Sequence, residues 1–461
     1  MRPMAAILLC LAACAGLPQP DPCLKKALRE EKDGWIFIHL EGSPREIGYQ
    51  HGFLLAEEIA EALRMFAHFL DGSSGKEWMS YRNAAGRMFW PKIEPEYREE
   101  IEGMVEGLAA RSKKVDAIDI VAVNGWMELA WYYLPYLADK AKPGSLDNKA
   151  PGKCSAFIAT GSHTEDGQIV VGHNSWFDYI VGERWNVVMD VKPARGHRFI
   201  MDTFPGFIHS GSDFVINGAG LIYTETTIGQ FKGFDETGVP EFVRARQAAQ
   251  YAGSIDDFVA ILSARNNGAY ANTWLVGDTK TGEIAKLDLG LKHQRLWRTK
   301  DGVYVGANFG SDEKLLAEET TFDVNDKTSS PNARKRRWEQ IMPASKGKIN
   351  VELAKAFEGD HVDADTGKPA ESGCVLCGHV DKDPKGVPAF SWPAYYPAGS
   401  VSAKVTTSAL ARDLKLWAKM GHPCGREFNA SAFLAKHPEY KWQEKFLRDM
   451  KPHPWTLWGA K

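Results

Sequence analysis

The chain has 461 residues, 44% of them hydrophobic, 25% charged and 11% aromatic, which is typical of a globular protein and excludes a disordered or fibrous one. Its 56 Lys and Arg against 59 Asp and Glu give a formal net charge of −3. Nucleic-acid-binding proteins usually carry a basic excess, so we expect no nucleic acid as a partner. Seven cysteines are too few for a disulfide-built fold, so a large core must stabilise one large domain or two ordinary ones.

The N-terminal region has the pattern of an export leader. An apolar run over 4–17 follows Arg2 and is shorter than the roughly 20 residues that a membrane-spanning helix needs. Two cleavage patterns fit: a bacterial lipobox that would place a lipid on Cys14, and an A-x-A site at 13–15. We expect residues 1–15 to be a signal peptide or lipoprotein leader. The protein would then be exported, either as a periplasmic or outer-membrane lipoprotein that contacts the membrane through Cys14, or as a secreted protein.

Residues 16–153 are predicted to be mainly helical. The sequence WIFIHLEG, beginning at Trp35, predicts a strand, and a turn at 42–44 then leads into a helix. The apolar stretch 121–138 contains Glu128, so it predicts a buried helix of a soluble protein rather than a membrane span. This region ends at 140–153 in KAKPGSLDNKAPGK, which is rich in Lys, Pro and Gly. Such a stretch is typical of an exposed connector on which proteases or self-processing act.

Short strand patterns dominate the chain after the connector. Turn signals separate CSAFIAT, QIVVGHN, WNVVMDV, DFVINGAGLIYTET, TWLVGD, EIAKLDL and VYVGANF. Helices are predicted between and after them, from an N-cap at Ser254, over 351–358 and over 407–420. Strands interleaved with late helices indicate an α+β sandwich rather than βαβ units.

Export changes how the cysteines outside the leader are interpreted. In an oxidising compartment Cys23, Cys374, Cys377 and Cys424 could pair. One C-x-x-C without a second pair is a weak zinc signal, even with His379 as a third ligand. We therefore favour a structural disulfide such as Cys377 to Cys424, although the sequence leaves the connectivity open. We expect no metal ion and no cofactor.

Cys154 is the candidate nucleophile. Cysteine is often simply buried in a core, but this one stands where the connector ends and the first strand after it begins. Cleavage between Lys153 and Cys154 would make it an N-terminal residue whose own α-amine can act as base, since the pKa of such an amine is roughly 7.7 to 8.

Hairpin pairing predicts which side chains accompany the thiol. If CSAFIAT and QIVVGHNSW pair across the turn at 164–167, Cys154 lies opposite Trp176 or Phe177. His173, Asn174 and Trp176 then fall beside the thiol at the end of the strand. We interpret these three as substrate-binding residues.

Several ordered motifs resemble a known family. CSAFIAT, HNSW, SGSDFVINGAGLIYTETTIG, NNGAYANTWLV and PAGSVSAKVTTSALA resemble the phospholipase B-like proteins. GSPREIGYQHG is also similar to the acyl-CoA:isopenicillin N acyltransferase-like group. Both groups are N-terminal-nucleophile hydrolases. The resemblance implies a four-layer αββα sandwich, cut before Cys154 into fragments 16–153 and 154–461 that stay together as one composite domain.

The resemblance also assigns roles to single residues. It makes Cys154 the nucleophile and Asn272 the group that helps to hold the oxyanion, for which a side-chain NH2 is suited. It implies an arginine of SPNARKRRW near the nucleophile, for which we choose Arg337 and next Arg334. It marks His173 and Trp176 as pocket residues.

The ETTIG stretch, which contains Thr226, is similar to another family motif, and we expect Thr226 to line the substrate pocket. The primary functional hypothesis is hydrolysis of fatty-acyl esters of phospholipids or lysophospholipids. The alternatives are an N-acyl amide hydrolase or acyltransferase, and an inactive binding protein that keeps the fold. The expected partners are therefore an acyl lipid or N-acyl small molecule and the protein's own N-terminal fragment.

Overall fold

A computed structural model describes residues 21–74, 78–142 and 154–461. The predicted leader with Cys14, and Lys153 on one side of the predicted cleavage, lie outside the described residues. The strands are β1 (Leu28–Lys32), β2 (Trp35–Gly42), β3 (Cys154–Thr160), β4 (Val170–Asp178), β5 (Val187–Pro193), β6 (Phe199–Thr203), β7 (Val215–Asn217), β8 (Leu221–Thr227), β9 (Asn272–Asp278), β10 (Glu283–Leu289), β11 (Gln294–Thr299), β12 (Gly302–Gly306), β13 (Ala398–Thr407), β14 (Lys415–Met420) and β15 (Thr456–Gly459).

Helices flank these strands along the chain. They are α1 (Pro44–Leu54), α2 (Ala56–Ser74), α3 (Trp78–Ala84), α4 (Pro95–Ala110), α5 (Ala117–Asn124), α6 (Trp126–Glu128), α7 (Leu134–Ala141), α8 (Tyr179–Gly182), α9 (Glu241–Tyr251), α10 (Ile255–Ser263), α11 (Glu313–Glu319), α12 (Ser330–Ala344), α13 (Val351–Glu358), α14 (Ser408–Arg412) and α15 (Ala430–Lys436). Two π-helical segments occupy Ala85–Phe89 and Leu129–Tyr133. Short 3-10 turns include Pro22–Lys26, Gly161–His163 and Val380–Lys382.

The strands form two sheets. The larger has the order β1-β2-β5-β6-β7-β8-β9-β10-β11, and the smaller has the order β12-β3-β4-β13-β14-β15. Neighbouring strands are antiparallel except for β2 and β5, which run parallel. The pairing of β2 with β5 joins a strand from before the connector to one from after it.

Three apolar cores stack the elements into four layers of helix, sheet, sheet and helix. The core between the sheets joins residues of both, among them Phe37, Val188, Leu275, Ile158 and Ala418. The outer face of the larger sheet packs on α1, α2, α4, α5, α9 and α10. The outer face of the smaller sheet packs on α12 and α13. The prediction of an α+β sandwich is confirmed.

The helix predicted over 407–420 is wrong. Only Ser408–Arg412 is helical, and Lys415–Met420 is strand β14. Its side chains alternate along the strand: Leu416, Ala418 and Met420 are buried in the core between the sheets, and the residues between them are half-buried. Pairing of β14 with β13 and β15 therefore overrides the helical spacing of its apolar residues.

The region predicted as buried helix over 121–138 is helical, with buried side chains up to Tyr133. Within the described residues no helix is both long and apolar enough to span a membrane.

Candidate active site

Cys154 is the first residue of β3 and is 1% exposed. Its strand lies between β12 and β4 in the smaller sheet. Cys154 is opposite Ser175, which is one residue before Trp176 and two before Phe177, the two predicted partners. A 3-10 turn at Gly161–His163 lies in the connection between the two strands. Because side chains alternate along a strand, the shift of one residue from Trp176 to Ser175 changes which side chains share the face of the thiol.

His173 and Ser175 lie on the same face of the smaller sheet as the Cys154 thiol. His173 pairs with Ala156, which lies in the core between the sheets, and Ser175 pairs with Cys154 itself. The His173 Nδ1 and Ser175 Oγ atoms are 3.4 Å apart. Burial lowers the pKa of His173 well below its ordinary value, so its imidazole is neutral at neutral pH. His173 therefore lies on the face of β4 that carries the thiol, and its role in substrate binding stays a prediction.

Asn174 lies on the opposite, outer face of β4. Its Nδ2 atom donates to the carbonyl oxygens of Glu358 at 2.8 Å and Leu376 at 3.1 Å, and its Oδ1 atom accepts from Ser400 Oγ at 2.8 Å. A side chain whose hydrogen-bonding groups are all occupied in this way holds the chain after α13 against the sheet. The prediction that Asn174 binds substrate is corrected to a positioning role.

Trp176 lies on the same outer face. Its Nε1 atom donates to Leu376 O at 3.2 Å. The guanidinium carbon of Arg334 lies 4.3 Å from the centroid of its ring, a stacked cation–π geometry. Trp176 therefore positions Arg334. The sequence predicted that Trp176 lies beside the thiol, but its side chain is on the opposite face of β4.

Arg334 is the arginine that reaches the candidate nucleophile. Its Nη1 atom donates to Cys154 O at 2.6 Å and to Ser155 Oγ at 3.1 Å, and its Nη2 atom donates to Asn308 Oδ1 at 2.8 Å. Burial lowers the pKa of Arg334 to about 9, so the guanidinium stays charged at neutral pH. The choice of Arg337 is wrong, because its Nε and Nη2 atoms donate to the Asp360 carboxylate at 2.9 and 2.6 Å.

Asn308 completes the contacts to the backbone of Cys154, and the sequence analysis missed it. Its Oδ1 atom accepts from Cys154 N at 3.2 Å, while its Nδ2 atom donates to Thr227 O at 3.0 Å. Its backbone has a φ of 69°, in the left-handed region that Asn tolerates better than most residues. An Asn between two glycines in GANFG was the available signal, but that pattern usually marks only a turn.

Asn272 is a buried amide with free hydrogen-bonding capacity. It begins β9 opposite Thr227, the residue whose carbonyl oxygen Asn308 holds. Neither its Nδ2 nor its Oδ1 atom has a hydrogen-bond partner among the described residues. An unpaired buried amide costs about 1–3 kcal/mol, so an acceptor from outside the chain would be stabilised there. This fits the role of oxyanion donor that the resemblance implied.

Thr226 is buried one position before Thr227. Its Oγ1 atom has no partner among the described residues, and it lies against Gly306 of β12, where an added Cβ would come within 2.4 Å of it. Thr226 therefore fills the contact between the two sheets. Its predicted place in the substrate pocket stays a prediction.

A charged pair on the thiol side of the smaller sheet was also missed from the sequence. Lys404 of β13 forms an ion pair with Asp202 of β6, with Nζ 2.9 Å from Oδ2 and both side chains fully buried. Lys404 Nζ also donates to Ser175 Oγ at 2.5 Å. The only signal in the sequence was a lysine inside a strand-like run, SAKVTT, which is usually an exposed position.

The pKa of the Cys154 thiol results from opposing effects. Burial raises it well above the ordinary value of a thiol, and the nearby Glu225 carboxyl raises it further. The backbone NH of Trp176 and the charge of Lys404 act in the opposite direction. The thiol is thus protonated in this environment and needs a base to become a nucleophile.

Two buried carboxyl groups lie near the thiol and hydrogen-bond to each other. The Tyr270 hydroxyl donates to Glu225 Oε1 at 3.1 Å, and a hydrogen bond joins the side chains of Asp213 and Glu225. Burial, and for Asp213 also the charge of Glu225, raises the pKa of both carboxyls well above the ordinary value. A cation brought into this region would restore their ionised forms.

The two stacked sheets with flanking helices and a buried polar site at one strand end define an α+β sandwich protein. The sequence profile of the Phospholipase B family matches residues 57–300, more than half of the chain. The chain belongs to this family. The matched region contains Cys154, His173, Thr226 and Asn272, while Asn308 and Arg334 lie beyond it.

Individual relatives are similar over parts of their length. An uncharacterized protein of Archaeoglobus fulgidus is 28% identical over 302 residues, which are 61% of this chain and 48% of the relative. Phospholipase B-like 1 of Homo sapiens is 32% identical over 138 residues, 28% of this chain and 25% of the relative. Phospholipase B-like 1 of Rattus norvegicus is 29% identical over 144 residues, 29% and 26% of the two chains. The chain thus spans about half or less of the length of these relatives.

Proposed function

We propose that the protein is an exported, self-processed cysteine hydrolase of the N-terminal-nucleophile type, which cleaves fatty-acyl ester bonds of phospholipids or lysophospholipids. The observation that carries the proposal is the set of contacts to the backbone of Cys154. Its nitrogen donates to Asn308 Oδ1 and its carbonyl oxygen accepts from Arg334. A side chain that holds the backbone nitrogen of a buried cysteine suits a residue whose nitrogen takes part in the chemistry. Membership of the Phospholipase B family supports the acyl-lipid substrate.

The first step is cleavage before Cys154. The thiol loses its proton, and the sulfur attacks the carbonyl carbon of Lys153. The C–N bond breaks as a thioester forms, and the departing nitrogen takes up a proton. Water then hydrolyses the thioester to leave a carboxylate on Lys153, the free thiol and the free α-amine of Cys154. Because Cys154 is 1% exposed, access of substrate to the thiol would begin with this step.

The second step is turnover of substrate. The neutral amine accepts the thiol proton, and the sulfur attacks the acyl carbonyl carbon. The oxygen that becomes negative accepts a hydrogen bond from Asn272 Nδ2, which has no partner among the described residues. The intermediate collapses to an acyl-enzyme thioester as the leaving alcohol takes the proton from the amine. Water, deprotonated by the same amine, then releases the fatty acid.

Asn308 and Arg334 orient the base. Asn308 Oδ1 lies 3.2 Å from the nitrogen that becomes the amine, and Arg334 fixes the same oxygen from the other side at 2.8 Å. The positive guanidinium also disfavours protonation of the amine, which keeps more of it in the basic, neutral form at neutral pH.

The buried carboxyls bear on the substrate class. Glu225 and Asp213 are buried, share a hydrogen bond and have raised pKa values, and a cationic group that binds beside them would favour their ionised forms. The quaternary ammonium of choline and the amine of ethanolamine are such groups on a phospholipid. An N-acyl compound with a free amine has the same chemistry, so the second candidate is an N-acyl amide hydrolase or acyltransferase with the same nucleophile.

The experiment is an acyl-release assay with diacyl phospholipids, lysophospholipids and N-acyl amino compounds, each with a cationic and a neutral polar group. Wild type should release fatty acid from the choline and ethanolamine esters faster than from the matched glycerol esters. Cys154→Ala should release none, and Cys374→Ser should match wild type. Preference for the N-acyl compounds would favour the amidase. Release from none of the substrates by a correctly cut wild type would favour the inactive binding protein.

Export and lipid attachment at Cys14 complete the proposal. Globomycin, which blocks lipoprotein maturation, should then cause an uncleaved precursor to accumulate in the cell envelope. A soluble mature protein that begins at Gly16 would support ordinary secretion instead.

A further inference from the structure

A cluster of two cysteines and two histidines lies where three loop segments meet, outside the candidate active site. His361 follows α13, Cys377 and His379 lie between α13 and β13, and Cys424 follows β14. The sulfur atoms and one ring nitrogen of each histidine all lie within 4.8 Å of one another. Both cysteines are free thiols, so the disulfide favoured from the sequence is not formed in the structure.

The distances within the cluster are those of a tetrahedral zinc site. With Zn–S of about 2.3 Å and Zn–N of about 2.05 Å, tetrahedral geometry puts a sulfur and a nitrogen about 3.6 Å apart and two nitrogens about 3.3 Å apart. Cys424 Sγ lies 3.6 Å from His379 Nε2, and His361 Nε2 lies 3.2 Å from His379 Nε2. The Nε2 atoms of His361 and His379 thus point toward one position, where a shared cation would bind to both.

The surroundings of the cluster support negative sulfur and place a carboxylate beside a histidine ring. The backbone NH of Arg426 donates to Cys424 Sγ at 3.5 Å. A carboxylate oxygen of Asp381 lies within 4.8 Å of a ring nitrogen of His379. This places a negative charge beside the ring, and carboxylates are common neighbours of metal-binding histidines.

We propose that His361, Cys377, His379 and Cys424 bind one structural Zn²⁺ ion. Two thiolates and two imidazoles complete a four-coordinate site, and soft sulfur with imidazole nitrogen selects Zn²⁺ over Mg²⁺ or Ca²⁺. Binding releases two protons, one from each thiol, as two Zn–S bonds form. His379, Asp381 and His422 form a neighbouring group. There the Tyr179 hydroxyl donates to Asp381 Oδ1 at 2.8 Å and lies 3.3 Å from His422 Nε2, which leaves the four-residue set as the site.

The ion would fasten the loops that hold the outer face of β4. The carbonyl oxygen of Leu376 accepts from Asn174 and Trp176, and the carbonyl oxygen of Cys377 accepts from Ser400 of β13. Trp176 in turn carries Arg334. The zinc site would therefore stabilise the support of Arg334 from outside the reacting centre.

The sequence carries only a weak signal for this site, the C-x-x-C with His379, because its ligands come from three segments with no recognised spacing. Cys374 completes the C-x-x-C, yet its thiol lies 3.8 Å from Thr328 O and belongs to neither cluster. Cys374→Ser is therefore a matched control for Cys377→Ser.

The test is the metal content of the full-length protein, purified without chelators and measured by elemental mass spectrometry. We expect about one zinc per chain in wild type and in Cys374→Ser, and a loss of at least ten-fold in Cys377→Ser and His361→Ala. Replacement by Co²⁺ in wild type should give the intense visible bands of a tetrahedral thiolate complex, which reports the site even if the variants fold poorly.

Three results would each overturn the proposal. The first is a wild type without zinc, both as purified and after addition of equimolar zinc to the reduced protein. The second is a disulfide between Cys377 and Cys424. It would lower the intact mass, measured under denaturing and non-reducing conditions, by two hydrogens and would give a peptide that joins these two cysteines. The third is zinc retained equally in Cys377→Ser. None of these depends on hydrolytic activity, so the zinc site and the proposed function can fail separately.

Discussion

Two different sets of side chains surround Cys154: one set contacts its backbone, and the other shifts the pKa of its thiol. Asn308 and Arg334 contact its nitrogen and carbonyl oxygen. Glu225 and Lys404 instead shift the pKa of the thiol, in opposite directions. The first pair prepares the base and the second sets the acidity of the nucleophile, so substitutions in the two pairs should have different signatures.

Arg334 and Arg337 test which arginine of α12 supports the nucleophile. In Arg334→Lys, the lysine cannot make the three hydrogen bonds of the guanidinium to Cys154, Ser155 and Asn308. We therefore expect the rate of substrate hydrolysis to fall by on the order of 100-fold. Arg337→Lys changes contacts to Asp360 and Gln340, away from Cys154, and should stay within a few-fold of wild type. Steady-state kinetics with thermal melting check this. Equal losses in both variants would show that the contact to Cys154 does not matter.

Asn308→Asp tests the amine as base. A carboxylate in place of the Oδ1 atom, 3.2 Å from the nitrogen of Cys154, stabilises the ammonium form. It should raise the amine pKa by about 1–3 units, while Arg334 keeps the new carboxylate ionised. Because the neutral amine is the active form, the acidic limb of the pH–rate profile should move to higher pH.

The control for this change is Asn429→Asp at the N-cap of α15, where the side chain accepts from Ala432 N and aspartate caps equally well. Its profile should match that of wild type. An unshifted acidic limb in processed Asn308→Asp would mean that the amine of Cys154 is not the base.

Among the elements, helices α1 and α4 pack with their backbones in contact because glycines of both helices lie at the interface. An added Cβ would lie 1.8 Å from Glu100 O at Gly48 and 2.0 Å from Met104 O at Gly52. At Gly103 and Gly107 of α4 it would meet backbone oxygens of α1 at 2.2 Å. The GYQHG part of the motif noted in the sequence therefore has a packing reason, since glycines four apart align on one helix face.

Gly48→Ala is expected to reduce the free energy of unfolding by about 3 kcal/mol or more, because backbone atoms cannot move aside for the methyl group. Gly86→Ala is the matched control. Its Cβ would meet only Ile118 side-chain atoms at 3.6 Å or more, so stability should be unchanged or slightly increased. Chemical denaturation of both variants measures the difference. Similar stability of the two would mean that α1 and α4 are not closely packed in solution.

Local signals predicted local structure well in this chain. The strand from Trp35 and the following turn are found as β2 and the Ser43 cap of α1, and Ser254 caps α10. The strand β14 was missed because its partners β13 and β15 lie elsewhere in the chain. Asn308 and Lys404 escaped for the same reason, and Arg334 was ranked below Arg337, since only tertiary packing brings these residues to Cys154 or Ser175.

For the whole molecule, the proposed cut would not divide the fold. Strand β2 from before the connector pairs along its length with β5 from after it, and β1 pairs with β2 at the sheet edge. Helices α1, α2, α4 and α5 share one core with the larger sheet. The two fragments should therefore remain associated after cleavage, each with a large apolar surface covered by the other.

Glu128 lies between the two fragments and should make stability depend on pH. Its Oε2 atom accepts from Asn267 Nδ2 at 2.6 Å, and burial raises its pKa from 4.5 to about 7. Between these values the folded state binds more protons than the unfolded state, so its contribution to stability falls as pH rises and is lost above about pH 7. The full span corresponds to about 3 kcal/mol.

Glu128→Gln removes this titration. As the pH rises from 5 to 7, the free energy of unfolding of Glu128→Gln should increase relative to that of wild type. The exposed Glu99→Gln should leave the slope of wild type unchanged. Denaturation at several pH values provides the measurement, and parallel curves for wild type and Glu128→Gln would contradict the account.

The most direct test of the central claim is the N-terminal sequence and intact mass of the purified protein. We expect two chains that copurify, with the larger one beginning at Cys154, and we expect a single uncut and inactive chain for Cys154→Ala. A wild type that is fully active as one uncut chain would contradict the assignment of Cys154 as an N-terminal nucleophile.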